Sequence, residues 1–381
     1  MKIAIVCYPT FGGSGVVATE LGIALSKRGH EIHFVTYKQP VRLEYLTHNI
    51  HYHEVIVPEY PLFHYQPYEL ALSSKLVTVI KKHQIDVLHV HYAIPHAYAG
   101  YMTQQMLKEE GVSVPMLTTL HGTDITLVGS HSFYKPAVNF SINKSNAVTS
   151  VSHSLKKDTL AIFSIENEIE VIPNFIDFSK VKESFQDCKR YLMAAPDERI
   201  VIHISNLRPV KRIQDVIQIF YRIQKNVKSK LIIIGDGPDR EMASKVAHEL
   251  GIRDKIIFLG KSNEIERILC FSDLFLLPSE KESFGLAALE AMAYKVPVIS
   301  SDTGGLPEVN KDGVSGFLCE VGAVDEMAEK AIYILESDDR LEKFKKQAKK
   351  IALDFDIHQI LPKYERLYKK IMLQVTQHNR Q

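Results

Sequence analysis

Short apolar runs recur along the chain, each followed by a polar or Gly-rich turn and then by a stretch with helical spacing. In the first half the runs are 2–6, 31–36, 86–92, 117–120 and 146–152. The run at 146–152 reads as the last strand of a first sheet. A second alternation starts at Arg199, with runs at 200–205, 230–235, 255–260, 273–277 and 296–301. The run at 273–277 is apolar on both faces rather than alternating, which is the pattern of a parallel strand buried beneath helices, and the alternation of runs with helical stretches argues for parallel sheets. Between them the period changes. Residues 16–27 place Val17, Leu21, Ala24 and Leu25 on one side, with Gly29 as the stop. Further helices are expected to start near Ile213, Asp239 and Gly285, and a last one covers 357–373. The fold class is therefore α/β, as two doubly wound parallel-sheet halves. The turn residues of Ile172-Pro173-Asn174-Phe175-Ile176-Asp177 open the connection between them, and a cleft is expected between the C-terminal ends of the two sheets.

Composition narrows the partners more than the fold. At 381 residues there is material for two cores. A formal net charge of +1 provides no bulk field for nucleic acid. Cys7, Cys188, Cys270 and Cys319 lie far apart and form no CxxC, so reduced thiols and a cytoplasmic location are expected. The chain opens directly in an apolar run with no signal-like segment, and no run approaches the ~20 residues that span a bilayer. The basic run 343–350 reads as a solvated helix face. Small molecules are the expected partners, and the oligomeric state is open.

The richest chemistry lies at 282–290, Glu-Ser-Phe-Gly-Leu-Ala-Ala-Leu-Glu. Glu282 falls in the loop after a buried strand, and Glu290 about two turns into the next helix. The N–H groups of Phe284, Gly285 and Leu286 would open that helix, and helix N-termini attract phosphate. Gly285 would let a diphosphate approach the backbone. Carboxylates accept from sugar hydroxyls, so Glu290 suits a ribose and Glu282 a second sugar. Two Glu at this spacing also arise by chance, so the surroundings decide.

Those surroundings are polar loops at strand ends. Gly12-Gly13-Ser14-Gly15 joins the first strand to a helix and makes an anion cradle or a tight turn. It is not GxGxxG, and Tyr37-Lys38-Gln39-Pro40 stands where a dinucleotide site needs an acid, so NAD is not expected. Residues 40–68 read as an irregular excursion. His89 and His91 share one strand face without further ligands nearby, and no Asp-x-Asp stands at a strand end, so no metal is expected. His121, at another strand end, is placed to polarise a hydroxyl. The loop Asn206-Leu207-Arg208-Pro209-Val210-Lys211-Arg212 brings cations that would neutralise a leaving diphosphate. Gly235-Asp236-Gly237-Pro238 and Gly260 would offer bare backbone to a base, and 302–308 is either a similar loop or only a turn.

Taken together, the Gly12-Gly13 loop, Thr119-Leu120-His121-Gly122-Thr123-Asp124, Ile172-Pro173-Asn174, Lys211, Gly235-Asp236-Gly237-Pro238, Glu282-x7-Glu290 and Gly304-Gly305-x-Pro307-Glu308 resemble the GT-B retaining glycosyltransferases of family four. The resemblance runs along nearly the whole chain. Finer motifs, among them His89-x-His91-Tyr92-Ala93-x-Pro95-His96 and Ser205-Asn206-x-Arg208-x-Val210-Lys211-Arg212, resemble one branch most closely. That branch uses UDP-N-acetylglucosamine as donor and L-malate as acceptor, in the first step of bacillithiol synthesis. The resemblance implies an acceptor domain over 1–172, a donor domain over 173–356, and a last helix, 357–381, returning to the first domain.

The resemblance also implies roles. Glu290 would hold the ribose and Glu282 the transferred sugar. Gly13, Lys211 and the backbone of Ser283, Phe284, Gly285 and Leu286 would hold the diphosphate. His121 would lie beside the reacting sugar, with Ser14, Tyr92 and Thr119 towards malate. Asn206 departs from the family, where an Arg faces the diphosphate, so Arg208 or Lys211 would carry that task. A transferase with another acceptor and a UDP-N-acetylglucosamine 2-epimerase are the alternatives.

Overall fold

The computed structural model describes residues 1–10, 12–43, 49–57, 66–182, 190–262 and 264–378. Phe11 of the Gly-rich turn, Cys188 and parts of the 40–68 stretch lie outside the described residues. The chain forms two compact units, Met1–Asn174 with Ile357–Gln381, and Phe175–Asp356.

The first unit holds seven parallel strands: β1 (Lys2–Val6), β2 (Glu31–Thr36), β3 (Ile50–Glu54), β4 (Val87–His91), β5 (Met116–Leu120), β6 (Ala147–Ser150) and β7 (Ile169–Val171). Their order is β3-β2-β1-β4-β5-β6-β7. Two of them escape the sequence reading. β3 is Ile-His-Tyr-His-Glu, an edge strand with no buried residue and therefore no apolar run. β7 is three residues long, and it, not β6, closes the sheet. The interior of β1 is fully buried, and helix Tyr68–His83 packs Leu72, Leu76, Val79 and Ile80 onto the same core.

The helix Ile357–His378 belongs to this unit. Tyr364 and Tyr368 are its largest fully buried side chains. Burial of an aromatic side chain contributes roughly 1.5–3 kcal/mol, and a buried hydroxyl needs a partner. The Tyr368 hydroxyl finds His89 Nδ1 at 2.8 Å. At the surface Arg28 grips Glu365 through two hydrogen bonds of 2.8 and 2.9 Å.

The second unit holds β8 (Arg199–Ile204), β9 (Ser229–Ile234), β10 (Ile256–Gly260), β11 (Leu274–Leu277), β12 (Val298–Ser301) and β13 (Gly316–Cys319), in the order β10-β9-β8-β11-β12-β13. Helix Ile213–Asn226 buries Ile213, Val216, Ile217, Ile219, Phe220 and Ile223 on one stripe. Helix Asp338–Ala352 carries the basic run and buries Leu341, Phe344, Ala348 and Ala352, so its lysines do line the outer face, Lys345 excepted. Lys345 turns back to Asp273 at 2.8 Å. Among the described residues no helix is long and apolar enough to cross a membrane, and Cys7, Cys270 and Cys319 are free thiols.

Both sheets wind outward from their first strand in opposite directions, so each has one switch point, between β1 and β4 and between β8 and β11. Open α/β sheets bind ligands outside the carboxyl ends of the strands at such points.

Candidate active site

The second unit's switch point joins the loops after β8 and β11. The β8 loop is fixed from within. His203 donates from Nδ1 to the Leu276 carbonyl at 2.9 Å, so its Nε2 accepts from the Ser205 hydroxyl at 2.8 Å. Burial holds the His203 imidazole neutral, its pKa pushed down to about 4. Leu207, at φ 42, plugs the core and leaves Asn206 and Arg208 exposed on either side. A short turn, Pro209–Lys211, then delivers Lys211, whose ammonium donates to Glu282 Oε1 across the switch. Both side chains are largely shielded, at 19% and 14% exposure, which strengthens charge interactions there. Ser279, fully buried, donates to the same Glu282 oxygen at 3.2 Å, and Glu280 N–H reaches the Val210 carbonyl at 2.8 Å.

The helix after β11 is Leu286–Ala293, with Gly285 as its left-handed N-cap at φ 94. Because Gly285 stays outside, Glu290 is the fifth helical residue, little more than one turn in rather than two. Leu289 is the first residue of this helix whose N–H meets a carbonyl of the turn, that of Gly285, so the amides before it open towards the strand end. Phe284 is buried, its ring edge-on to Phe355 at 5.7 Å, so only its backbone faces the loop.

Several glycines read from the sequence as ligand cradles are also required by packing. A Cβ on Gly285 would lie 2.6 Å from Leu306 Cδ2. Cβ atoms on Gly235 and Gly237 would overlap the carbonyls of Ser205 and Asn206, and one on Gly304 would overlap the Glu282 carbonyl. The Gly235 and Gly304 loops thus buttress the two arms that bear Lys211 and Glu282. Gly260 differs: its left-handed φ of 65 is its constraint, and a Cβ there would meet only Arg240 Nη1, at an ordinary 3.8 Å.

The first unit's switch point carries the Gly-rich turn. Helix Gly13–Lys27 starts after Gly12 with no acid in its first turn, and the Gly15 and Val16 amides both return to the Gly12 carbonyl. The amides of Gly13 and Ser14 are left as the open end. Gly15 is there for space, because a Cβ would lie 2.5 Å from both the Tyr8 and Thr10 carbonyls. Across the switch, the Ser14 and Tyr92 hydroxyls hydrogen-bond at 2.6 Å. Tyr92 holds φ 85, an uncommon conformation for an aromatic residue, directly after β4. Its ring lies 5.1 Å from His121.

His121 Nε2 meets His91 Nδ1 at 2.8 Å. Burial drives the His121 pKa down to about 3 and the His91 pKa far below the usual range, so both rings are neutral hydrogen-bonding groups. Asp124 was not singled out from the sequence, yet it ties this edge together. Its carboxylate accepts from the N–H groups of Ala93 at 2.8 Å, Gly122 at 2.9 Å and His121 at 3.3 Å. Burial raises its pKa to about 6 against those donors. Thr119 sits differently from the sequence reading. It is fully buried, and its hydroxyl is shared by His89 at 2.8 Å and Thr149 at 2.7 Å, so it braces the site from behind. Buried polar atoms are nearly always paired in native proteins. His91 Nε2, His96 Nε2 and the Tyr68 hydroxyl are buried exceptions with no hydrogen-bond partner.

Comparison with known proteins places the chain in a family. The family described as Glycosyltransferase Family 4 matches residues 11–180, and Glycosyl transferases group 1 matches 187–351. The N-acetyl-alpha-D-glucosaminyl L-malate synthase of Bacillus anthracis is 44% identical over 374 residues, 98% of this chain and 97% of that one. In fold, Alr3699/HepE of Anabaena, solved with UDP and glucose, superposes with a TM-score of 0.82 at 20% identity, over 97% of this chain and 100% of that one. Sucrose-phosphate synthase of Thermosynechococcus elongatus gives 0.80 at 19% identity, over 98% and 99%. The chain belongs to the GT-B glycosyltransferases whose two halves are the family 4 and group 1 domains.

Proposed function

We propose that this chain transfers N-acetylglucosamine from UDP-N-acetylglucosamine to the hydroxyl of L-malate and keeps the α configuration. The observation that carries this reading is the 44% identity, over 98% of the chain, to a relative named for that product. The donor groups lie on the second unit. Glu290 accepts from the ribose hydroxyls, and Glu282 from those of the sugar. Lys211 and the amides at Ser283–Leu286 neutralise the diphosphate, with Asn206, Arg208 and Gly260 bordering the nucleotide. Ser14, Tyr92 and His121 face the acceptor.

In the reaction the bond from the sugar C1 to the β-phosphate oxygen breaks as C1 becomes oxocarbenium-like. Preorganised cations and amides stabilise the charge gathering on UDP, typically the largest single catalytic effect. The malate hydroxyl oxygen attacks from the face UDP leaves, and its proton passes to the departing phosphate oxygen. A double displacement would need a carboxylate on the opposite face, and Glu282 serves better as a hydroxyl acceptor. Lys211 in the free protein already has a carboxylate partner, so donor phosphate exchanges one anion for another rather than ordering a free side chain.

UDP release from UDP-N-acetylglucosamine, measured with and without L-malate, tests the reading. Strict dependence on malate, with an α-anomeric coupling in the product NMR spectrum, is expected. Consumption of the donor without acceptor, yielding a free 2-epimeric sugar, would make the protein an isomerase. Release driven only by another acceptor would keep the chemistry and refute malate.

A further inference from the structure

A second cluster of reactive side chains lies away from both switch points, at the other end of the first unit's edge strands. β2 and β3 run in parallel register, with His33 opposite His51 and Val35 opposite His53. Side chains alternate along a strand, so Glu31 and His33 share one face of β2 with His51 and His53 of β3. Helix Tyr68–His83 ends over that face with His83. The imidazoles gather closely. Ring centroids are 5.2 Å apart for His33–His53, 4.6 Å for His33–His83 and 5.0 Å for His53–His83. One nitrogen from each of these three lies within 4.8 Å of the others.

We propose that His33, His53 and His83 form a site for a divalent transition metal of the zinc class, with Glu31 orienting His33. The hydrogen-bond roles support this. A carboxylate only accepts, so His33 Nε2, 2.9 Å from Glu31 Oε1, carries the proton. His33 Nδ1 is then a bare lone pair, and it points at His53 Nε2, 2.9 Å away. A carboxylate holding the far N–H of a ligating imidazole is the recurrent second layer of protein metal sites. Tetrahedral zinc at its usual bond length sets ligand nitrogens about 3.3–3.4 Å apart. The three rings need only small adjustments to reach that spacing. His53 shifts its proton from Nε2 to Nδ1 on binding, so no proton is lost.

Access and chemistry agree. His33 is fully buried while His53 and His83 are part-exposed, so an ion enters from solvent and keeps water as its fourth ligand. Imidazole nitrogens suit zinc, copper and nickel, not calcium or magnesium. His51 and Glu31 make a second grouping with His33, but through the ring edge that Glu31 already occupies. Lys2, Lys75 and Lys82 bring opposing charge, so affinity in the micromolar range is expected rather than that of a closed four-ligand site. A bound ion would pin the edge strands to the end of their covering helix.

The test uses the tag-free full chain, stripped with a chelator and titrated with Zn²⁺ and Co²⁺. One equivalent is expected to bind, with the visible absorption of tetrahedral Co²⁺ and a rise in the thermal midpoint. His53→Ala and His83→Gln should each abolish that spectrum. Glu31→Gln should weaken binding about 10–100-fold, and His51→Ala should retain it. Circular dichroism establishes that each variant is folded, and any variant that unfolds is replaced by Glu31→Gln as the deciding case. No saturable binding, binding that survives both His53→Ala and His83→Gln, or binding lost in His51→Ala would overturn the assignment.

Discussion

In the proposed mechanism Lys211 and Glu282 are single side chains on which the chemistry rests. The ammonium and the carboxylate come from arms on opposite sides of a switch point and meet in a shielded place. Removal of one such electrostatic donor typically costs about 100–1,000-fold in turnover. Lys211→Ala is therefore expected to lower kcat by at least ~100-fold, with circular dichroism unchanged. Near-wild-type turnover would remove Lys211 from the mechanism. Asp124 works through position. Its two oxygens accept from three backbone N–H groups, and an amide can accept with only one. Asp124→Asn should therefore leave a buried N–H facing an NH₂ group. The expected loss of stability is roughly 1–3 kcal/mol, with a raised KM for malate. Urea titration and steady-state kinetics check both. An unchanged midpoint and KM would show that the loop holds itself without the carboxylate.

At the scale of elements, the glycine-bearing turns matter as much as the side chains they support. Gly304 has φ 57 and backs directly onto the Glu282 carbonyl. Gly304→Ala should push the Glu282 arm away. A displacement of about 1 Å at a reacting centre can cost ~100-fold, so a large fall in kcat/KM is expected with Lys211 and Glu282 both intact. Wild-type kinetics in that variant would mean the turn is slack. The sequence could not show this use of glycine, because a turn residue against a neighbouring loop and one against a ligand look alike in one dimension. The apolar strands were legible for the opposite reason: burial on both faces leaves an unbroken run. β3 was not, because His51, Tyr52, His53 and Glu54 carry no such signature. The metal-ligand candidates were hidden for the same cause, spread over three elements and joined only by register. Glu282, Glu290, Lys211 and His121 could be singled out as candidates because strand-end loops are where an α/β sheet exposes polar groups. The role of Asp124 was not, since a buried carboxylate taking backbone N–H groups leaves no spacing to read.

At the scale of the whole molecule, the two units repeat one winding order but differ in how they store titratable groups. The first holds His89 at about 3, His96 at about 4, His121 at about 3 and His91 also far down, all through burial. The second holds His203 at about 4. A histidine whose folded pKa lies below its unfolded value near 6.5 binds more protons when unfolded. Its contribution is fully present above about pH 6.5 and is lost as pH falls towards 4. Asp124, raised to about 6, has the opposite sign, because the folded state holds its proton longer. Six such histidines, with His33 and His53 also lowered to about 4, against one raised carboxyl leave the first unit losing stability in acid faster than the second. Urea midpoints at pH 7.5 and pH 5, followed by hydrogen exchange in each unit, should show that difference, and equal losses would refute it. The same scale bears on function, since full-length similarity joins both units to one relative.

The most direct test of the account is the position of UDP in a crystal of the protein. The nucleotide is expected outside the carboxyl ends of β8 and β11, with its ribose on Glu290, its diphosphate beside Lys211 and the amides that open helix Leu286–Ala293. UDP bound elsewhere, with Glu282 and Glu290 turned to solvent, would contradict it.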